Sequence, residues 1–481
     1  MAGRMFRISC LIPAVILMCL LAASCGGPSQ QKETQTPVAS MPDTLRVGTL
    51  YSPTTYFIYR DEPMGYEYDM VKQYAESHSL PMKLVVAPSF HTLVEMLDSG
   101  KIDLLACRVP MTSDFKNQVR FCGPVNVTAQ VLVQKNARES GDGYVDNVTG
   151  LVGRDVYVET GTKYCQRLEN LNEEVGGGIN IHALASDTLV AHDLVEMVAQ
   201  GEVPFTVVDG DIASLEKTYY HNIDVSVAVS LEQKSAWAVA KDNEVLANSI
   251  DKWSRTIGDN NEVKEIHRRY FEMAKNPFDD DDGIAVGSSG AGSTGVRMMD
   301  ATTISQYDAF FRKYAPSIDW DWRLLAAVAY EESRFDNSAT SWAGAAGVMQ
   351  IMPRTAALNG LPASQIRDPE RNIATCVRIF KILDDLLRKK VPSPDERLKF
   401  VLASYNAGQG HILDAIALAG KYGMDNQVWD SNVRDALLMK SRQEYYTDPV
   451  VRHGYFHAKE TVSYVDRVLR TYDYYKAHAP V

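Results

Sequence analysis

The sequence predicts a multidomain protein in which a two-lobed α/β domain is followed by an all-α domain. Its 481 residues exceed the size of one ordinary core, so we expect two or three domains. Over residues 44–275, short β-branched runs alternate with amphipathic helical stretches, which is typical of an α/β domain. Over residues 301–481, strand signals almost vanish, and helical periodicity broken by Pro and Gly predicts helices alone.

Strands and helices are predicted to alternate within residues 44–275, called the front domain below. The predicted strands are Leu45–Leu50, Lys83–Val86, Ile102–Ala106, Asp155–Val158 and Phe205–Val208. The predicted helices are Tyr68–Ser77, Thr92–Ser99 and His192–Ala199. This order predicts βαβ units and a mostly parallel sheet.

Residues 276–300 are predicted to be a linker, because the acidic run Asp279–Asp282 is followed by Gly and Ser residues. Residues 301–481, called the C-terminal domain below, contain only helical patterns. The predicted helices are Ser305–Tyr314, Trp322–Glu332, Ile373–Leu387, Arg397–Ser404 and Thr461–Tyr475. No internal repeat of the usual periods is present in the sequence.

Composition narrows the class of protein. Apolar residues make up 45% and charged residues 23% of the chain, as in globular proteins. The formal net charge of −12 argues against an overall electrostatic fit to nucleic acid or to anionic lipid. No nucleic-acid partner is therefore expected.

The first 25 residues have the pattern of a lipoprotein signal peptide. Arg4 and Arg7 give a positive start, and the apolar run Cys10–Ala23 is short for a membrane-spanning helix. Small residues then lead to Cys25, which resembles the lipid-attachment cysteine of bacterial lipoproteins. The pattern departs from the usual one because Leu21 lies four residues before the cysteine instead of three. The alternative is a plain signal peptide in which Cys25 is incidental.

A lipid on Cys25 would fix the location of the protein. Residues 26–43 are rich in Gly, Pro, Ser, Gln and Thr, which predicts a flexible tether between the anchor and the first domain. We therefore expect a protein anchored in the cell envelope and facing the periplasm, with the outer membrane as its expected site.

Cysteine and histidine spacing gives no metal motif. Removal of the signal leaves Cys107, Cys122, Cys165 and Cys376. An oxidising envelope permits a Cys107–Cys122 disulfide, and buried free thiols are the alternative. His182 and His192 also lack ligand spacing, so we expect them at the surface and expect no metal.

A glutamate at the end of a predicted helix is a candidate general acid. Leu325 and Ala329 lead at helical spacing to Glu332, which places this carboxyl at the end of an apolar stripe. Partial desolvation raises the pKa of a carboxyl, as a general acid near neutral pH requires. The same spacing leads from Val328 to Glu331, so periodicity does not choose between the two glutamates.

Two later segments combine small and polar residues. In Ser341–Pro353, Gly344 and Gly347 permit close approach of a ligand to the backbone, and Gln350 can hydrogen-bond to sugar hydroxyls or amides. Ala403–Gly408 again sets polar groups beside small ones at a helix end. Both segments are typical of a ligand cleft.

Together these segments resemble the signature blocks of soluble-type lytic murein transglycosylases. The blocks are Glu332-Ser333, Gly344–Pro353, Tyr405–Gly408, and Glu460-Thr461 with Tyr464-Val465. They occur in the family order, and Val348 stands where Leu is usual. The resemblance implies a lysozyme-like α-fold and a catalytic glutamate that precedes a serine, which selects Glu332.

The resemblance also implies the reaction. Glu332 would protonate the β-1,4 glycosidic oxygen between N-acetylmuramic acid and N-acetylglucosamine of peptidoglycan. The muramyl C6 hydroxyl would attack C1 and give a 1,6-anhydro end, without the second carboxylate of most glycosidases and without cofactor or metal. By the same resemblance, the glycan cleft is lined by Ser341, Gln350, Met352, Tyr405, Asn406 and Glu460. The alternatives are a muramidase that uses water and a binding protein that holds glycan without cutting it.

The front domain resembles family 3 periplasmic solute-binding proteins. The resemblance rests on Leu45–Thr49, Gly65–Asp69 and Gly100–Leu105, and it implies two lobes that close on a small ligand. Phe115 stands where the family has an arginine that binds an α-carboxylate.

The ligand expected in the front domain follows from that departure. Asp209 matches the position that binds an amino group, although an ordinary loop aspartate is the alternative. Either free amino acids are poor ligands or Arg108 takes the place of the missing arginine. We hypothesise that the regulatory ligand is a muropeptide that presents a peptidoglycan stem peptide.

Overall fold

A computed structural model of the protein describes residues 41–184, 191–273, 275, 296, 298–300 and 302–479. The signal segment, Cys25, nearly all of the tether and most of the acidic linker lie outside these residues, so lipid attachment stays a prediction. Among the residues described, no helix combines the length and the apolar character needed to cross a bilayer.

The front domain contains two mixed sheets with helices around them. Its strands are β1 (Leu45–Thr49), β2 (Phe57–Tyr59), β3 (Glu62–Met64), β4 (Met82–Val86), β5 (Leu104–Pro110), β6 (Val119–Thr128), β7 (Gln130–Lys135), β8 (Asp155–Glu159), β9 (Asn180–Leu184), β10 (Phe205–Asp209), β11 (Ile223–Asp224) and β12 (Gln233–Ala240). Its helices are α1 (Tyr66–Ser77), α2 (Phe90–Asp98), α3 (Ser113–Gln118), α4 (Ala137–Ser140), α5 (Lys163–Glu174), α6 (Ala191–Gln200), α7 (Gly210–Glu216), α8 (Glu244–Ser254) and α9 (Asn261–Phe271). The predicted two-lobed α/β class is confirmed.

The expectation of a mostly parallel sheet is only half right. The first sheet has the strand order β4-β1-β5-β12-β6, and the second has the order β11-β7-β10-β8-β9. In each sheet three strands run parallel, as βαβ units require. The other pairings are antiparallel, because β12 in the first sheet and β7 in the second each run against the other four strands, and each is the first strand after the chain passes between the lobes.

The C-terminal domain is helical, as predicted. Its helices are α10 (Asp308–Tyr314), α11 (Trp322–Ser333), α12 (Pro353–Leu358), α13 (Pro369–Leu387), α14 (Pro394–Ala407), α15 (Gln409–Lys421), α16 (Arg434–Met439), α17 (Gln443–Tyr446) and α18 (Lys459–His478). Helix α11 is buried along its whole length in the core of this domain. Because α11 is surrounded by other elements, the side chains at its end lie inside the molecule.

The two domains share part of a hydrophobic core. Trp342, Ala343, Ala345 and Met352 of the C-terminal domain pack in one cluster with the core of the first lobe. The β2–β3 hairpin also projects from that lobe, and Tyr59 lies 5.2 Å from Trp342 between ring centroids. The loop that was predicted to line a cleft is therefore also an interdomain contact.

The cysteine alternatives are resolved in favour of buried free thiols. Cys107, Cys122, Cys165 and Cys376 are all buried and unpaired. Burial raises the pKa of the Cys107 thiol to about 12, so this group is not a nucleophile at neutral pH.

Candidate active site

Glu332 lies near the end of α11 with its side chain only 3% exposed. The N-terminus of this helix is capped by Asp321, whose carboxylate accepts a hydrogen bond from the backbone N–H of Arg323 at 2.9 Å. Burial raises the pKa of the Glu332 carboxyl, whereas Arg60 and Tyr464 act to lower it. A raised pKa favours the protonated form that a general acid requires.

The neighbouring Glu331 has a different environment. Its Oε2 lies 3.2 Å from Arg334 Nη1 and 3.2 Å from Arg467 Nε, and its Oε1 accepts a hydrogen bond from Thr471 Oγ1 at 2.7 Å. These partners satisfy the carboxylate within the C-terminal domain and tie α11 to α18. The geometry therefore gives Glu331 a structural role and leaves Glu332 with the reactive environment.

The loop before α12 is held by groups that were predicted to bind sugar. Gln350 has a φ of 48°, and its side-chain amide donates hydrogen bonds to the carbonyls of Ala339 (3.1 Å) and Gly347 (2.9 Å). Tyr405 donates its hydroxyl hydrogen to the carbonyl of Met349 at 2.6 Å. In this arrangement the amide of Gln350 supports the loop.

Asn372 was missed by the sequence reasoning. It is fully buried, accepts a hydrogen bond from Met349 N at 2.8 Å, and donates to the carbonyls of Ala346 and Ile366. A lone Asn within an apolar helix gives no motif signal, although its polarity at a core position was available as a hint.

The other residues that were predicted to line the glycan cleft make different kinds of contact. Ser341 Oγ accepts a hydrogen bond from Ala345 N at 3.0 Å, and Met352 is buried in the shared core. Asn406 is buried and accepts a hydrogen bond from Thr461 Oγ1 at 2.6 Å. Glu460 lies 3.5 Å from Arg467 Nη2 and acts electrostatically on Glu332.

A front-domain arginine occupies the position next to Glu332. Arg60, at the tip of the β2–β3 hairpin, places Nη2 3.1 Å from Glu332 Oε2 and donates from Nη1 to the carbonyl of Gln350 at 2.9 Å. The guanidinium carbon also lies 5.9 Å from the Tyr405 ring centroid. An ion pair buried this deeply depends on close geometry and on further hydrogen bonds; Nη1 makes such a bond, whereas Nε has no hydrogen-bond partner among the described residues.

The hairpin tip is fixed by its turn and by the C-terminal domain. Arg60 and Asp61 both have positive φ, 50° and 60°, as a two-residue turn of the primed type requires. The Asp61 carboxylate accepts hydrogen bonds from the backbone N–H groups of Gln409 (3.0 Å) and Gly410 (3.1 Å). Asp61 therefore caps the N-terminus of α15, which has no side-chain cap of its own at Gly408.

Gly408 is needed for this docking. Its φ is 98°, and a Cβ atom at this position would lie 2.6 Å from the backbone nitrogen of Asp61. The hairpin also donates a backbone hydrogen bond from Arg60 to the carbonyl of Ala407 at 3.0 Å. The Tyr405–Gly408 block thus supports a contact with the front domain as well as the cleft.

A buried polar chain lies behind the hairpin. His411 Nε2 donates to the carbonyl of Ile58 at 2.9 Å, and its Nδ1 accepts from Lys440 Nζ at 2.8 Å. Lys440 is fully buried and lies 2.7 Å from Asp414 Oδ2. Burial lowers the pKa of the Lys440 ammonium to about 8. The docked hairpin therefore completes the hydrogen bonding of the buried His411 and Lys440 side chains.

The charged groups of the front-domain cleft are engaged internally. Arg108 on β5 lies 3.1 Å from Glu67 Oε1 and contacts Asp211 of α7, so it joins the two lobes. Asp209 lies 2.5 Å from Lys163 Nζ. Phe115 packs against Phe90 with ring centroids 5.4 Å apart. In this arrangement neither Arg108 nor Asp209 is free to hold a ligand.

One expectation about histidine is wrong. His182 lies at the surface as predicted, with 43% of its side chain exposed, and pairs with Asp155 at 2.8 Å. His192, in contrast, is buried and contacts His457 of the C-terminal domain. Sequence spacing could not foresee this contact because the two residues belong to different domains.

Two family models match the chain. Residues 45–273 match bacterial extracellular solute-binding proteins, family 3, and residues 310–428 match the transglycosylase SLT domain. A crystal structure of the Lactococcus lactis GlnP substrate binding domain 2 aligns with 49% of this chain and 99% of that chain, at 15% identity and a TM-score of 0.41. The two family models agree with the two kinds of domain in the fold.

Curated relatives resemble nearly the whole chain. A protein of Desulfosudis oleivorans is 32% identical over 426 residues, which cover 88% of this chain and 87% of the relative. A protein of Pseudomonas fluorescens is 31% identical, with 89% and 84% covered. A protein of Ectopseudomonas mendocina is 29% identical, with 94% and 88% covered. Each of these relatives is named membrane-bound lytic murein transglycosylase F.

Proposed function

Because the chain belongs to the membrane-bound lytic murein transglycosylase F family, we propose that Glu332 serves this lytic murein transglycosylase as both acid and base. The bond cleaved is the β-1,4 bond between N-acetylmuramic acid and N-acetylglucosamine. The observation that carries the proposal is the burial of Glu332, which raises its pKa. The adjacent Glu331 instead forms ion pairs with Arg334 and Arg467. The two adjacent glutamates thus have separate tasks.

The reaction needs one carboxyl and no external nucleophile. Glu332 gives its proton to the glycosidic oxygen as the bond to C1 breaks, and the N-acetylglucosamine side leaves as an alcohol. The muramyl C6 hydroxyl bonds to C1 and gives its proton to the Glu332 carboxylate, which restores the acid. Attack within one sugar replaces the second carboxylate that most glycosidases use.

The arrangement described above is a closed state of this site. Arg60 occupies the position beside Glu332 that a glycosidic oxygen must reach, and its charge favours the ionised carboxyl. Withdrawal of the β2–β3 hairpin would uncover Glu332 and remove the cation that favours its ionised form. One movement thus opens the cleft and releases the carboxyl from its ion pair.

A ligand of the front domain is the proposed trigger for opening. Arg108 and Asp211 connect the lobes, and Lys163 covers Asp209, so a ligand must replace these contacts with its own charges. A muropeptide carries amino and carboxylate groups that suit these partners. A ligand shifts the equilibrium only if it binds the open state more tightly than the closed state.

We also propose that a lipid on Cys25 anchors the enzyme in the envelope, facing the periplasm from the outer membrane. The pattern before Cys25 and the word membrane-bound in the names of the relatives support it. Labelled fatty acid should enter the wild-type chain but not Cys25→Ser. Absence of label from the wild type would overturn the anchor.

Product analysis tests the proposed reaction. Purified murein is incubated with the full chain, and the products are separated and weighed by mass spectrometry. The proposal expects ends that are 1,6-anhydromuramyl. Reducing muramyl ends formed with uptake of water would identify a muramidase, and intact strands with measurable murein binding would identify a glycan-binding sensor.

A further inference from the structure

A cluster of histidine and carboxylate side chains lies between the two domains, among residues that have no role in the reaction above. His192 and Glu196 lie one turn apart on α6 of the front domain, and His457 lies two residues before the start of α18 in the C-terminal domain. One ligand atom from each of the three residues lies within 4.8 Å of the others. Residues four apart on a helix share a face, so α6 presents both of its groups to His457.

The two imidazoles meet through their Nε2 atoms, which are in direct contact. Nδ1 of His192 lies 2.6 Å from Glu216 Oε1, so a proton on Nδ1 faces this carboxylate, and a neutral ring with that proton has its lone pair on Nε2. A carboxylate behind a histidine in this way orients the ring and raises its strength as a ligand. Two nitrogen lone pairs that face one another repel unless His457 carries a hydrogen on Nε2 or a cation lies between them.

Buried carboxylates surround the two imidazoles. The carboxylates of Asp193, Glu196 and Glu216 are each at most 11% exposed, and Lys459 is the ammonium group that pairs with Glu196 and lies 3.7 Å from Asp193. A divalent cation between the imidazoles would place positive charge beside these buried carboxylates, and a buried charge is stabilised by an opposite charge close to it.

We propose that His192, Glu196 and His457 bind a divalent transition metal ion such as Zn²⁺, with Glu216 orienting the His192 ring. Two imidazole nitrogens and one carboxylate oxygen form a set that suits this ion, and a fourth position is left for water. Bonds of about 2.0–2.1 Å require the two Nε2 atoms to separate to about 3.3 Å. Lys459, whose side chain is 40% exposed, turns into solvent as the ion binds Glu196.

The site would link the metal to the closed state of the enzyme. Its ligands come from both domains, so an ion bound to all three holds together the arrangement in which Arg60 covers Glu332. At a free ion concentration 100 times its Kd, the closed state gains about 100-fold over an open state that does not bind the ion. This consequence rests on the proposed function, whereas the metal site itself does not.

Metal titration of the full chain tests the site. The protein is purified without a histidine tag, stripped with a chelator and titrated with Zn²⁺ by calorimetry. One ion per chain is expected, and His192→Ala and His457→Ala are each expected to weaken binding by about 100-fold or more. The matched control is His182→Ala, which removes a surface histidine that also pairs with a carboxylate and should leave the affinity unchanged.

Further variants keep the test decisive if an alanine variant unfolds. Lys459→Met removes the cation that competes for Glu196, so it should tighten Zn²⁺ binding several-fold while leaving the histidines intact. The absorption spectrum of the Co²⁺-loaded protein should report nitrogen and oxygen ligands. Lack of Zn²⁺ uptake, or equal affinity in wild type, His192→Ala and His457→Ala, would overturn the site and leave a shared proton as the occupant.

A rate assay separates the site from the proposed function. Zn²⁺ should slow murein cleavage by the wild type but not by His457→Ala. If the ion binds at the three residues and both proteins keep their rates, the metal site stands and the closed state is refuted.

Discussion

The active-site cleft and the front-domain cleft both hold their charged groups in ion pairs, but the counterions differ in origin and exposure. Glu332 is paired with Arg60, which comes from the other domain and is 11% exposed. Asp209 is paired with Lys163, which comes from the same lobe and is 55% exposed. A pair that is exposed and local is weak and easily exchanged for a ligand. A buried pair that bridges domains changes only when the domains move.

The comparison suggests a division of labour. The Asp209–Lys163 pair of the front-domain cleft can exchange its counterion for a ligand at little cost, as a sensor requires. The active-site cleft can lose its counterion only by withdrawal of the whole β2–β3 hairpin, with the cap of α15 and the hydrogen bond from His411. Such a contact behaves as a two-state element that a distant ligand can bias.

The largest expected effect comes from removing the proposed acid of the active-site cleft. Glu332→Gln keeps the shape of the side chain but cannot donate and regain a proton, so cleavage should fall by about 10²–10⁴-fold. The matched control is Glu331→Gln, which should lower the melting temperature because it weakens contacts with Arg334, Arg467 and Thr471. Initial rates on purified murein, measured well below both melting temperatures, show which of the two glutamates the reaction requires. Loss of the rate in Glu331→Gln alone would assign the chemistry to the other carboxyl.

The next effect concerns the bridge between the lobes. Arg108→Ala leaves Glu67 and Asp211 without their cation, and should lower the free energy of unfolding by about 2–3 kcal/mol. A double-mutant cycle with Asp211→Ala, read by chemical denaturation, should give a coupling of about 1–2 kcal/mol. Additive effects would show that the two side chains do not interact. A lower unfolding free energy is also expected to accompany a changed affinity for muropeptides.

A smaller effect comes from the cap that crosses the domains. Asp61→Ala removes the acceptor for the N–H groups of Gln409 and Gly410, and a lost cap costs about 1 kcal/mol. Because the cap exists only in the closed state, the variant should cleave murein about fivefold faster than the wild type without ligand. Asp61→Asn retains an acceptor and should lie between the two. A rate equal to the wild type in Asp61→Ala would argue that the cap does not favour closure.

The smallest effect is a shift in pH dependence. Burial raises the pKa of Glu332 and Arg60 opposes this rise, so removing Arg60 should raise the pKa further. A general acid is active when protonated, and its rate falls as pH rises through its pKa. The basic limb of the profile of kcat/KM should therefore move to higher pH in Arg60→Ala. Arg60→Lys keeps the charge and should retain the wild-type limb, and a shift to lower pH in Arg60→Ala would contradict the sign.

Much of the fold could be predicted from the sequence because its signals are local. Helix α11 and strands β1 and β10 follow from apolar periodicity and lie within a residue or two of the predicted bounds. The β2–β3 hairpin was missed because its turn is Arg60-Asp61, which lacks the Asn or Gly that usually marks such a turn. The reversed strands β7 and β12 were missed because strand direction depends on the path of the chain between lobes.

The site was predictable only in part, for a physical reason. The buried position of Glu332 followed from the apolar stripe before it, whereas its separation from Glu331 depends on Arg467 and Thr471, which lie on α18. The inward turn of the Gln350 amide depends on a positive φ that no motif encodes. Contacts between the domains, such as those of Arg60 and His192, carry no spacing signal.

The central claim is that the β2–β3 hairpin closes the active site through Arg60. The most direct test compares murein cleavage by the wild type and by Arg60→Ala in the full chain, without added ligand and at equal concentration of folded protein. Loss of a charge-assisted buried contact of about 1.5–3 kcal/mol should release the hairpin and raise the initial rate by about 10- to 100-fold. A rate for Arg60→Ala that equals or falls below that of the wild type, in a protein with an unchanged melting temperature, would contradict the claim.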